Sequence, residues 1–155
     1  MNIGIIFHSQ TGHTNSVAEK LKEKLLAAGH SVNLEKLEFI GELRSDTRNV
    51  QFKSFPNIDE YDALVLGSPV QGFALSPVMA SYLTHIKSLQ NKKVACLLTQ
   101  FFPFPSMGGN QALDQLKKIC ESKGAVICGT AIINWSNLSR NKKISESVDK
   151  LSSIF

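Results

Sequence analysis

The chain has 155 residues, 43% of them apolar and 19% charged, and a formal net charge of +4. That length suits one domain with one core, residues 1–155, and no stretch nears the ~20 apolar residues of a membrane span. The positive charge is small and dispersed, and its densest spot, Arg140 with Lys142 and Lys143, reads as a solvated helix face; no nucleic-acid partner is expected.

The N-terminus shows no basic region leading into an apolar run and a cleavage site, so the expected location is cytoplasmic, with no membrane partner. Cys96, Cys120 and Cys128 are odd in number, form no CxxC pair and sit in apolar or helical contexts. They read as reduced, buried thiols.

The elements follow in chain order. "IGIIF", Ile3 to Phe7, is a short β-type run. Val17, Ala18, Leu21, Leu25 and Ala28 recur at helical spacing, and Gly29 ends that helix. "SVNLEKLE" alternates imperfectly and reads as an edge strand. The polar segment from Phe39 to Tyr61, with Pro56, holds one short helix or none. "ALVLGS", Ala63 to Ser68, is a continuous buried run. "SPVMASYLTHIKSL" opens on Ser76 as N-cap and Pro77 at the first helical position. "KVACLLTQ" is a further buried run. "NQALDQLKKICESKG" is amphipathic and stops at Gly124, "AVICGTAII" is the last buried run, and Ile144, Val148, Leu151 and Ile154 mark a final helix. Continuous apolar strands separated by helices predict an α/β fold with a parallel sheet covered on both faces.

One loop in this scheme carries chemistry. "HSQTGHTNSV", residues 8 to 17, joins the first strand to the first helix, at the carboxyl end of the sheet where ligands bind. A helix N-terminus there offers free N–H groups and a positive dipole end. Ser9, Thr11 and Thr14 add hydroxyls, and Gly12 allows close backbone approach. A phosphate is the expected guest. A Walker loop needs a lysine after its last glycine, and His13-Thr14 follow Gly12 here. A dinucleotide fingerprint needs three glycines, and a phosphatase loop needs a cysteine and an arginine. A phospho-acceptor domain needs carboxylates where Phe7-His8 and Gly67-Ser68 stand.

"SQTGHT" resembles the phosphate loop of flavodoxins, [ST]-x-T-G-x-T. "YDALVLGSPVQGFALSP" is similar to their third strand and the flavin-contacting loop after it. "KVACLLTQFFPFPSMGGNQALDQLKKICESKGAVI" resembles the fourth strand, second flavin loop, helix and fifth strand. The resemblance covers nearly the whole chain and is to the short-chain type, since strand five has no insertion. It implies a three-layer αβα sandwich around a five-stranded parallel sheet of order 2-1-3-4-5, with FMN at the switch point. Flavodoxins are themselves a standing instance of that placement rule.

The same similarity assigns Ser9, Gln10, Thr11, Gly12, His13 and Thr14 to the FMN phosphate. It assigns Pro69, Val70, Gln71, Gly72 and Phe73 to one side of the flavin ring, and Thr99, Gln100, Phe101, Phe102, Gly108 and Gly109 to the other. Gly72 suits the peptide that turns over in the family when the flavin changes redox state. A flat ring wants apolar or aromatic walls, and Phe73, Phe101, Phe102 and Phe104 provide them.

The chain departs from the family in offering only phenylalanine where many members sandwich the ring with Trp and Tyr. Trp135 lies later, after the fifth strand. The segments 9–15, 68–77 and 100–112 carry no Asp, Glu, Lys or Arg, and the whole chain is basic where carriers of the family are acidic. A less negative flavin potential and an acidic partner are the expectations. No catalytic residue is assigned, His8 and His85 read as packing or surface residues, and no cluster has metal-ligand spacing. The function expected is electron transfer between FMN and a redox partner protein, by a monomer or small homo-oligomer. An NAD(P)H-dependent quinone or flavin-type reductase is the alternative, because "GSPVQG" and "FPSMGGNQAL" are similar to that class too. A flavin-free binding module of this fold fits less well with an intact "SQTGHT".

Overall fold

A computed structural model of the chain describes residues 1–41 and 50–155. Five parallel strands form the central sheet: β1 (Asn2–Phe7), β2 (Ser31–Lys36), β5 (Ala63–Gln71), β7 (Lys93–Gln100) and β8 (Val126–Asn134), in the order β2-β1-β5-β7-β8. Counting only these long strands, that is the expected 2-1-3-4-5.

Successive side chains of a strand point to opposite faces, and both faces here are apolar. Ile3, Ile5 and Phe7 meet α1 (His13–Ala27) and α4 (Arg140–Ser152) through Val17, Leu21, Leu25, Ile144 and Leu151. Ile6, Leu64 and Leu66 face the other way, toward α2 (Pro77–His85) and α3 (Gly109–Ser122), through Met79, Tyr82, Leu83 and Leu116. The helix starts are those that the sequence marks. Ser76 Oγ accepts from the N–H groups of Val78 and Met79 at 3.2 and 3.5 Å, with Pro77 opening α2. That helix is shorter than its apolar pattern, because Ile86 is already extended.

Two differences from the sequence reading involve short strand pairings. Within the polar segment after β2, β3 (Glu38–Phe39) pairs antiparallel with β4 (Phe52–Ser54), so the described ends of that segment form a small ribbon. The expected short helix, if it falls on 42–49, lies outside the described residues. The second difference is β5, which runs on through Pro69, Val70 and Gln71 and folds back as β6 (Ala74–Leu75).

Among the described residues no helix is long and apolar enough to cross a membrane. Cys96 and Cys120 are fully buried and Cys128 half-buried, all three as free thiols. Burial pushes each thiol pKa upward, that of Cys120 to about 12.

Tyr61 closes the bottom of the sheet over Gly4. Its hydroxyl donates to Glu35 Oε2 at 2.6 Å and accepts from Asn33 Nδ2 at 3.2 Å, which pins the ring. A Cβ on Gly4 would stand 2.6 Å from Tyr61 Cδ2. Gly4→Ala should therefore destabilise the protein by about 1–3 kcal/mol, the scale of overpacking a tight core. Urea unfolding of the two proteins measures the difference, and an unchanged midpoint would mean that the tyrosine ring moves freely.

Candidate functional site: a hydroxyl and phenylalanine cleft at the carboxyl ends of the strands

The loop from His8 to Gly12 is anchored at its root. The His8 N–H donates to the Gly67 carbonyl on β5 at 2.9 Å, and its imidazole is buried with Nδ1 2.6 Å from Ser76 Oγ. That oxygen already accepts two backbone N–H bonds, so its own proton goes to His8 Nδ1. The ring is then neutral, with its hydrogen on Nε2. Burial, reinforced by Lys36, lowers the His8 pKa to about 4.

The three loop hydroxyls have different fates. Ser9 Oγ accepts from the N–H groups of Gly12 at 3.1 Å and Asn15 at 3.3 Å. Thr14 is buried, with its hydroxyl 2.8 Å from that of Thr99 at the end of β7. Thr11 stands exposed, and left-handed Gly12 caps α1. The Gln71 amide donates across the cleft to Gln10 Oε1.

Two further loops meet above the sheet. Gly72 and Phe73 form a two-residue hairpin between β5 and β6, with φ of +58° and +61°. Such a turn needs positive φ at both places, which glycine meets freely and phenylalanine only under strain. The Phe73 ring lies parallel to that of Phe102, planes 3° apart and centroids 5.9 Å apart, and Phe101 meets Phe102 edge-on. Phe73, Phe101, Phe102 and Phe104 are all exposed. The two loops touch through backbone: a Cβ on Gly108 would stand 2.8 Å from Phe73 Cα. Gly108 and Gly109 are buried, so they fit the loops together. Gln100 Nε2 donates to the carbonyls of Phe102 and Phe104, and its Oε1 is buried with no partner.

A cleft of about 180 Å³ results, lined by Gln10, Thr11, His13, Thr14, Pro69, Val70, Thr99, Gln100 and Phe101. The structure thus brings the three sequence-assigned segments to one place. A larger cleft, about 350 Å³, lies between residues 55–59 and 85–88 and has no glycine–hydroxyl loop. Among the described residues no cluster of three or more His, Cys, Asp or Glu could hold a metal ion.

Sequence reasoning missed Trp135. Its ring stacks on His13, centroids 3.9 Å apart and planes 10° apart, and the Arg140 guanidinium lies 4.9 Å from its centre. The chain's single tryptophan, placed directly after the last strand, was the available signal. Desolvation, then Arg140, lowers the His13 pKa.

Residues 4–103 match the model of the flavodoxin domain. The chain belongs to the flavodoxin domain family. A flavodoxin of Megasphaera elsdenii is 26% identical over 156 residues, covering 96% of this chain and 98% of that one. Flavodoxin 2 from Bacillus cereus superposes with a TM-score of 0.71 at 22% identity, each chain fully covered. The azoreductase AzrA superposes with a TM-score of 0.67 at 15% identity, over 99% of this chain and 98% of that one. These two structures show a shared fold.

Family membership implies FMN as the cofactor, and the residues present fit it. Hydroxyls and helix N–H groups stand at one end of the cleft and the exposed Phe101 ring lines the other, the donor and apolar surfaces that a phosphate and a flat ring need.

Two outcomes follow for the site's own energetics. The folded state holds His8 neutral while the unfolded chain takes up a proton near pH 6.5, so stability is complete above that pH and declines as the pH falls toward about 4. The loss approaches about 3 kcal/mol. Urea midpoints across this range should show it, and His8→Gln should flatten the dependence. Phe73→Gly should raise stability by about 1 kcal/mol through relief of the turn while weakening FMN binding. A less stable variant would show that the phenylalanine ring contributes more than its backbone costs.

Proposed function

We propose that the chain is an FMN-dependent electron carrier that exchanges electrons with a redox partner protein. The observation that carries this reading is the set of four exposed phenylalanines on two loops free of charged residues, at the mouth of a phosphate-suited cleft. When bound, FMN supplies one- and two-electron redox chemistry at its ring.

The chain's own residues do the rest. The N–H groups of Gly12 and Asn15, now bonded to Ser9 Oγ, can exchange that neutral acceptor for a phosphate oxygen, a stronger one because it is charged. Thr11 adds an exposed hydroxyl, and Gln10, His13 and Thr14 complete the loop. Pro69, Val70, Gln71, Gly72 and Phe73 form one side of the ring site; Thr99, Gln100, Phe101 and Phe102, with Gly108 and Gly109 behind them, form the other. An exposed apolar rim leaves a route for electrons to a partner, and water is excluded when that partner covers it. The net charge of +4 favours an acidic partner, with association slowing as salt rises.

A reductase reading draws on the azoreductase likeness, which extends to the fold alone. Mixing the FMN-loaded protein with NADH and with NADPH in a stopped-flow instrument separates the two. A carrier is reduced slowly, without saturation; fast, saturable reduction by either nucleotide would establish the reductase. In equilibrium titrations FMN should bind far more tightly than FAD. Thr11→Ala should lower FMN affinity about ten- to hundredfold, the scale of one hydrogen bond to a charged group. Equal binding of FAD would remove the phosphate-loop assignment.

A further inference from the structure

Trp135 connects parts of the cleft that are remote in sequence. Its backbone N–H donates to the Gln100 carbonyl at 2.7 Å, and the next N–H, of Ser136, donates to the Phe101 carbonyl at 3.0 Å. Its main chain is thus tied to the ring-side wall. Its side chain does something else, lying flat on His13 of the phosphate loop at 3.9 Å between centroids. The Arg140 guanidinium is placed by a bond from Nη1 to the Trp135 carbonyl at 2.9 Å, and its Cζ lies 4.9 Å from the centre of the indole. His13 lines the cleft beside Gln10, Thr11 and Thr14.

A histidine at the first position of α1 would ordinarily sweep through several rotamers in solvent. A stack at this distance removes most of that freedom and holds the imidazole at the cleft wall. The main chain that carries the indole is in turn held by two bonds, and a cation lies near the π-face of the ring. Arg140 is the charged group on His13 from α4, and the loop before α1 carries none in residues 9–12.

We propose that Trp135, backed by Arg140, is a positioning residue for the phosphate end of the cofactor: it holds the His13 imidazole as a fixed wall of the phosphate loop. The inference rests on the FMN reading and deepens it. It sets this residue to work at the phosphate, although its backbone borders the ring site.

The test compares FMN with riboflavin, which has the same ring and no phosphate, by titration of the cofactor-free full chain. Trp135→Leu should weaken FMN binding about three- to tenfold, the scale of one aromatic stack with its cation, and leave riboflavin affinity unchanged. Trp135→Phe, which keeps a flat ring, should restore most of the loss. In a His13→Ala background Trp135→Leu should have no further effect on FMN, because the residue it acts through is gone. Equal FMN affinity in wild type and Trp135→Leu would overturn the inference, as would equal weakening of FMN and riboflavin, or an undiminished effect without His13. A wild-type chain that binds neither flavin would instead overturn the FMN reading itself.

Discussion

A parallel sheet that is apolar on both faces must be covered on both faces, and the architecture follows from that constraint. The chain covers one face with α1 and α4 and the other with α2 and α3. It can do so only by changing direction between β1 and β5, where the strand order turns back on itself. The connections leaving these two strands diverge to opposite faces and leave a crevice at their carboxyl ends. The hydroxyl loop, the strained hairpin and the phenylalanines all lie where this divergence opens the structure. The Thr14–Thr99 and His8–Ser76 contacts join its sides from below.

The crevice departs from local ideality in ways the core does not. Phe73 sits in a left-handed conformation, Gln100 Oε1 is buried without a partner, and aromatic rings stand in solvent. Each is unfavourable in isolation and persists because the rigid sheet and the close Gly108–Phe73 approach over-determine the loops. Such departures from consistency are expected where a ligand completes the structure.

The parts of the fold that were legible in the sequence are those with a local physical signature. Buried strands such as "ALVLGS" read clearly because both faces demand apolar residues, and α2 announced its start through Ser76 and Pro77. The β3–β4 ribbon and β6 were not legible, since two- and three-residue strands carry no usable period. In the site, the phosphate-loop pattern located the crevice. It did not reveal that the Ser9 and Thr14 hydroxyls find partners inside the protein. Phe73 as a turn residue ran against propensity. Trp135 was hidden for a different reason: its role comes from a tertiary stack, and the residue it meets is more than a hundred positions away.

The three thiols acquire a meaning beside a redox cofactor. Thiolate is the species that oxidants attack, and the ladder from sulfenic to sulfonic acid begins there. Cys96 and Cys120 have no exposed surface, and burial raises the pKa of each, so both stay protonated at any physiological pH. Cys128, half-buried, is shifted in the same direction. The packing that fills the two faces of the sheet thus also acts as chemical insulation. Cys96 and Cys120 both lie in the core on the face of the sheet that α2 and α3 cover, and there each thiol is kept in its least reactive form.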